Sequence, residues 1–292
     1  MHPAVVRPVG RFAPSPTGPL HFGSLLTAVA SYCDIKSRGG TWLVRIEDTD
    51  IPRIQAGAEP QILETLEAFG LQSDRPIIRQ QDRLPLYEQA LAQLAAQQMT
   101  YACACSRKLL QGQIRYPATC RDAHLNLAGQ AIRLKVDDVD IQFTDAIQGE
   151  QYENLQHSIG DFVLKRRDGI ISYQLAVVVD DAAQGVTEVM RGADLLDNTA
   201  RQIWLGRCLG VPPLHYAHLP LAMNANGQKL SKQNLAQPLL IGQASALIRQ
   251  ALLALGQPDP QIGSPAQLLQ HGVHYWQLGN IQPHVRLNGI YQ

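Results

Sequence analysis

Arg11-Phe12-Ala13-Pro14-Ser15-Pro16-Thr17-Gly18-Pro19-Leu20-His21-Phe22-Gly23-Ser24 is the stretch that decides the fold. Val5 to Phe12, just before and into it, reads as a first strand. Prolines and glycine then break the chain into a loop, and Leu20 to Ser37 fits a helix closed by Gly39-Gly40. Strand, sharp loop and helix start make a phosphate site, because free backbone N–H groups and the positive end of the helix dipole point at one ligand. His21 adds a donor on that loop, and Gly23 and Ser24 open the helix beside it. A second phosphate element, Lys229-Leu230-Ser231-Lys232, follows the turn signal Asn226-Gly227 about 200 residues further on. The chain between must fold so that the two meet.

Outward from this loop the pattern repeats. Thr41 to Ile46 is a compact β-rich run. Ile62, Leu63, Leu66 and Phe69 keep helical spacing within Ala58 to Phe69, and Leu84 to Met99 is a second Ala- and Leu-rich helix. Strand–helix order of this kind predicts a parallel sheet with covering helices. Near Thr100 the character changes to short alternating runs: Ala131 to Val136, Ile141 to Ile147 and Asp161 to Leu164. Arg167-Asp168-Gly169 is a turn signal, and Ile170 to Val179 is strand-like. Thr100 to about Ser172 therefore reads as an insertion of small antiparallel pieces. The parallel pattern then resumes, with a helix over Asp197 to Leu209. From Pro238 the chain is mainly helical, notably Ala244 to Leu255 and Ala266 to His271.

The 292 residues are 45% hydrophobic and 17% charged, a globular balance. No apolar run reaches the ~20 residues that span a bilayer, so no membrane partner is expected. The absence of an apolar N-terminal signal segment points to the cytoplasm. Formal net charge is zero, so a nucleic-acid partner must be met by a local patch. Candidates are Arg107, Lys108, Arg115 and Arg121, then Lys165, Arg166 and Arg167; solvated surface charge is the alternative.

Five cysteines, an odd number, argue against a disulfide framework. Cys103, Cys105 and Cys120 fall within 18 residues, which suits zinc in a tetrahedral shell. His124 or Asp122 is a conventional fourth ligand; free buried thiols are the alternative. Cys33 and Cys208 sit on helical faces and read as core.

The run from Arg11 to Ser24 resembles the first signature of the class I aminoacyl-tRNA synthetases, in the form used for glutamate and glutamine. His21-Phe22-Gly23-Ser24 stands where that family has His-x-Gly-His, and Lys229-Leu230-Ser231-Lys232-Gln233 resembles its Lys-Met-Ser-Lys-Ser loop. Tyr173 to Asp181 and Val189 to Leu196 resemble the glutamate-specific segment. The resemblance implies an α/β fold: a Rossmann-like parallel-sheet catalytic domain in two halves (1–99 and 173–237), an inserted zinc-binding α+β acceptor-type unit (100–172) and a helical C-terminal region (238–292). It implies glutamate activation by ATP, with Mg2+ arriving on ATP, His21 donating to the phosphoryl oxygens and Lys232 neutralising the departing pyrophosphate. Gly23, Ser24 and Lys229 complete the ATP site. Arg11 and Arg191 would grip the two carboxylates as bidentate forks. Glu47 would meet the ammonium, and Tyr173 and Ser15 would add hydroxyls. Without the resemblance, Glu47 reads as part of a polar turn and Arg191 as a surface ion-pair partner. Tyr116 occupies the position of a fourth zinc ligand in short paralogues.

About 60 residues follow Lys232, too few for an anticodon-binding domain of ordinary size. That pattern resembles truncated paralogues that pass glutamate to the queuosine base in the anticodon arm of tRNA(Asp), and a monomer is expected. A short synthetase charging a tRNA 3′ end, a small-molecule ligase or nucleotidyltransferase of the superfamily, and an inactive binding paralogue are the alternatives.

Overall fold

The structure, a computed structural model, describes residues 7–221 and 237–283. The lysine loop with Lys229, Lys232 and Gln233 lies outside the described residues.

Strands β1 (Val9–Phe12), β2 (Thr41–Ile46) and β3 (Ile78–Arg79) alternate with helices α1 (Phe22–Ser37) and α2 (Ala58–Ala68), and α3 (Leu84–Ala96) follows. After them come β4 (Thr100–Cys103), β5 (Ala131–Leu134), the hairpin β6 (Asp140–Asp145) and β7 (Gly149–Asn154), the short α4 (Leu155–Ser158) and β8 (Phe162–Lys165). The described chain continues through α5 (Tyr173–Gln184), β9 (Glu188–Gly192), α6 (Thr199–Leu209), β10 (His215–Leu219), α7 (Ala244–Ala254) and α8 (Pro265–His274).

The main sheet has the order β3-β2-β1-β9-β10-β6-β7 and is parallel except for β7. From β1 the chain winds outward through β2 and β3, then returns to place β9 on the other side of β1. In sheets wound this way the usual ligand position is the crevice at the carboxyl ends of the two strands where winding reverses, here β1 and β9. Glycine is required in β1: a Cβ on Gly10 would stand 2.5 Å from Ile35 Cγ1 of α1.

Side-chain parity on the strands separates two environments. Phe12, Trp42, Val44, Ile46, Met190, Ala217 and Leu219 face an apolar core shared with α1, α2, α7 and α8. The alternate positions hold Leu43, Val189 and Tyr216, in a separate cluster, together with Arg11, Arg45, Arg191 and His218. All four of these polar residues are buried. Arg191 and His218 are register partners on adjacent strands.

The strand expected over Ile170 to Val179 is corrected. Only Ile171 makes a strand-like bridge, to Lys165, and α5 follows. Ser172 caps that helix by accepting the Leu175 N–H, and Gly185 ends it with φ +69°. These caps and tertiary packing override the β-branched run Val177-Val178-Val179.

Residues 100–172 contribute to two sheets. β4, β5 and β8 form their own antiparallel sheet, while the β6–β7 hairpin joins the main sheet through Asp145 opposite Tyr216. At the other end of the chain, α7 and α8 close over α1. Cys33 is buried there, 2.9 Å from where a Cβ on Gly272 would stand. No helix among the described residues is long and apolar enough to cross a membrane.

Candidate active site

His21 is the N-cap of α1, and its Nδ1 accepts the Ser24 N–H at 3.3 Å. The ring proton of the neutral imidazole therefore sits on Nε2, the nitrogen able to donate to a phosphoryl oxygen. The preceding loop is pinned to the segment after β2, since Glu47 N–H bonds to Pro14 O at 3.0 Å and Gln55 N–H to Pro16 O at 3.0 Å. Ser15 lies on this loop, its carbonyl accepting the Thr17 N–H at 2.8 Å.

Beside the loop, Asp181 of α5 bridges two buried arginines. Its carboxylate lies 3.1 Å from Arg11 Nε and 2.7 Å from Arg45 Nη1. Burial opposes the charge of Asp181, but the two guanidiniums outweigh it and hold its pKa below the ordinary value. Arg45 also reaches Glu47 at 3.1 Å. Burial raises the Glu47 carboxyl despite the lowering effects of Arg45 and Arg11. A buried carboxylate in that balance gains from a cationic ligand. Asp180, one residue earlier, accepts from Arg83, Tyr87 and Gln80 at 2.5, 2.7 and 2.9 Å and lies 4.0 Å from Arg45 Nε.

Across the crevice, Arg191 near the end of β9 donates to Tyr173 Oη at 3.2 Å, Gln202 Oε1 at 2.8 Å and Thr199 Oγ1 at 2.9 Å. Its Nε donates to His218 Nε2 at 3.0 Å. Tyr216 lies under it, 5.9 Å from the guanidinium, and feels the charges of Arg191, Asp181, Arg11 and Tyr173 together. Arg11, Glu47, Tyr173 and Arg191 are thus brought to one crevice. Asp181, Arg45, His218, Thr199 and Gln202 were not legible as site residues, because their roles arise from pairing across elements.

At the end of β4, the Cys103, Cys105 and Cys120 sulfurs all lie within 4.8 Å of one another. The Tyr116 hydroxyl is 3.3 Å from Cys103 Sγ and 3.7 Å from Cys105 Sγ, and accepts the Cys120 N–H at 3.1 Å. Arg133 donates to Cys103 Sγ at 3.1 Å and stacks over the Tyr116 ring at 3.7 Å. Burial alone would raise the Cys103 thiol, but bonds from Tyr116 and Arg133 bring it down to about 7. Asp122 and His124 are exposed and do not join the cysteine group among the described residues. A soft thiolate set with an adjacent phenol fits a thiophilic divalent metal.

The expected basic patch divides in two. Lys165, Arg166 and Arg121 are engaged by Glu88, by Asp50 with Asp168, and by Asp137 with Asp161. Arg167 donates to the Ala104 carbonyl at 2.7 Å. Arg107, Lys108 and Arg115 are exposed near the cysteine cluster.

Residues 8–250 match the catalytic domain of the class I tRNA synthetases for glutamate and glutamine, and the chain belongs to that family of ligases. The fold agrees: a glutamate tRNA ligase from Elizabethkingia meningosepticum, solved with its amino acid, superposes with a TM-score of 0.82 at 24% identity, over 97% of this chain and 67% of that one. The glutamate-tRNA synthetase of Elizabethkingia anophelis gives 0.82 at 25%, over 97% and 68%. Within the family, this chain belongs with the glutamyl-Q tRNA(Asp) synthetases. It is 61% identical over 283 residues to that of Acinetobacter baylyi, covering 97% of each chain. To that of Dechloromonas aromatica it is 49% identical over 280 residues, covering 91% and 93%.

Proposed function

We propose that this chain activates L-glutamate with ATP in the absence of tRNA, then transfers the glutamyl group to the queuosine base in the anticodon loop of tRNA(Asp). The observation that carries the activation step is the convergence of Arg11, Glu47, Tyr173 and Arg191 on the β1/β9 crevice, beside His21 at a helix start. Two guanidiniums and one carboxylate complement an amino acid with two carboxylates and one ammonium. Ser15 adds a hydroxyl on the loop.

A glutamate carboxylate oxygen attacks the α-phosphorus, the bond to the β-phosphate bridge breaks, and glutamyl-adenylate and pyrophosphate result. Catalysis is positioning plus charge stabilisation. His21 donates from Nε2 to the phosphoryl oxygens at the start of α1, where Gly23 supplies a backbone N–H group and Ser24 holds the His21 ring in place through its own N–H. Lys229 and Lys232 neutralise the leaving pyrophosphate, and Mg2+ comes with ATP. In the second step a nucleophilic group of the queuosine base attacks the acyl carbonyl and AMP leaves. A base splayed out of a loop is the form in which proteins usually read RNA.

Cys103, Cys105, Cys120 and Tyr116 would hold one structural Zn2+. The metal would supply cross-linking rather than reaction chemistry, fixing the residue 100–172 unit whose exposed Arg107, Lys108 and Arg115 meet the RNA. The catalytic halves (1–99 and 173–237) and the C-terminal region from residue 238 would act together as a monomer in the cytoplasm.

Glutamate-dependent ATP–pyrophosphate exchange without tRNA tests the first step, and its absence from metal-replete protein would overturn it. Transfer of labelled glutamate to tRNA(Asp) with and without queuosine tests the second. Equal labelling of both, on the 3′ end, would favour an ordinary short synthetase.

A further inference from the structure

Arg191 has five N–H donors, and the structure spends them unevenly. Nε is committed to His218 Nε2 at 3.0 Å, while Nη1 and Nη2 reach Gln202, Tyr173 and Thr199. His218 can accept from Nε–H only through an unprotonated Nε2, so its ring proton must lie on Nδ1. That nitrogen stands 2.5 Å from Asp145 Oδ2. The other Asp145 oxygen accepts three backbone N–H groups, of Ile147 at 3.0 Å, Gln148 at 2.8 Å and His218 at 3.1 Å. A carboxyl receiving four donors is held as the anion and has no proton to give. Asp145 and His218 are both buried, 1% and 0% exposed.

We infer that Asp145 and His218 are positioning residues for the amino-acid site: they fix one imidazole tautomer, which fixes the rotation of the Arg191 guanidinium and aims its Nη edge at the substrate carboxylate. The inference deepens the proposed glutamate reading and rests on it. With Nε engaged from behind, the Nη1–H now on the Tyr173 hydroxyl and the second Nη2–H are the donors that can turn to a ligand. The groups facing His218 agree with a neutral ring: Asp145 on β6, Arg191 on β9, Arg11 on β1, Thr199 on α6 and the stacked Tyr216 ring. Burial, Arg191 and Arg11 together lower its pKa against the raising effect of Asp145.

The test is ATP–pyrophosphate exchange with the full chain, measuring KM for glutamate and for ATP separately, with thermal melting as a folding control. His218→Asn keeps a donor for Asp145 but removes the acceptor for Arg191. It should raise KM for glutamate about tenfold or more, with KM for ATP within about twofold. His218→Gln returns an amide oxygen to the Nε2 position and should recover to within about threefold of the unsubstituted chain. Asp145→Asn turns an amide N–H toward Nδ1, driving the ring proton to Nε2 against Arg191 Nε–H, the wrong-tautomer effect known from serine-protease triads. It should match or exceed the His218→Asn loss. Adding His218→Gln to it should restore the His218→Gln level, because an amide has no tautomer to misplace. A purely structural role would instead move both KM values together, or leave the double variant as poor as Asp145→Asn; either overturns the inference. An unmoved glutamate KM in folded His218→Asn, with exchange intact in the unsubstituted chain, overturns it alone. No glutamate exchange by the unsubstituted chain would overturn the glutamate reading itself.

Discussion

Asp181→Asn is the most demanding single change the structure suggests. The side chain of Asp181 is 5% exposed, and those of the arginines it joins, Arg11 and Arg45, are 4% and 0% exposed. Neutralising it leaves Arg11 with no anion in direct contact and Arg45 with Glu47 at 3.1 Å and, at 4.0 Å, Asp180, which is already engaged by Arg83. Removing one partner of a buried ion pair costs about 3–5 kcal/mol. Against a total stability of about 5–15 kcal/mol, that is a large fraction. At about 2–4 °C per kcal/mol for a chain approaching this size, the melting temperature should fall by about 6–20 °C. The acid limb offers a second check. The folded pKa of Asp181 is depressed, so its contribution is present above the unfolded value and is lost as pH falls through the folded one. The gap between the two proteins should therefore be widest near neutrality and narrow on acidification. Thermal melts from pH 7 to pH 3 measure both. A melting point within about 2 °C of the unsubstituted chain at pH 7 would refute the assignment of Asp181 as the counter-ion that makes the buried arginines tolerable.

Other outcomes are expected. Arg191→Ala should raise KM for glutamate by at least about a hundredfold while moving ATP binding little, since a charge-assisted fork is lost; equal losses for both substrates would misplace the pocket. Gly10→Ala should cost about 1–3 kcal/mol in chemical unfolding, because its Cβ would overlap Ile35, and Ile35→Val on the same chain should return part of that. Cys120→Ser should lower the stoichiometry of tightly bound zinc measured by mass spectrometry, and chelation should lower the melting point of the unsubstituted chain but not of the variant. His218 has a depressed pKa, so the unfolded chain takes its proton first and stability should fall as pH drops below about 6.5. The slope between pH 7 and pH 5 should be shallower in His218→Gln.

Local signals carried the backbone a long way. Thr41 to Ile46 is a strand end to end, and the proline-broken loop before Phe22 does turn into a helix start, with His21 itself as the cap. The failure at Tyr173 to Gln184 has a definite cause. Three consecutive valines outvote a serine cap when counted locally, whereas burial against β8, α3 and α6 decides in the folded chain. Arg11, Glu47, Tyr173 and Arg191 were legible through motif resemblance, not through periodicity. Their supporting partners were not. Nothing around Asp181, Asp145 or His218 in the chain says that each will stand within about 3 Å of a polar side chain 27 to 170 residues away. Parity was the overlooked clue: Arg11, Arg45 and Arg191 each fall on the strand face opposite the apolar core, and three inward cations require an anion from a neighbouring helix.

The β6–β7 hairpin has a consequence for how this architecture can be taken apart. It belongs by chain order to the segment that elsewhere builds the cysteine-bearing sheet, yet it is welded onto the edge of the main sheet, and Asp145, the last residue of β6, grips His218. The segment is therefore not a detachable cassette. Grafting it from another homologue, or deleting it to leave a minimal parallel-sheet half, would strip an ionised anchor from behind His218 and Arg191, so the two parts must change in step.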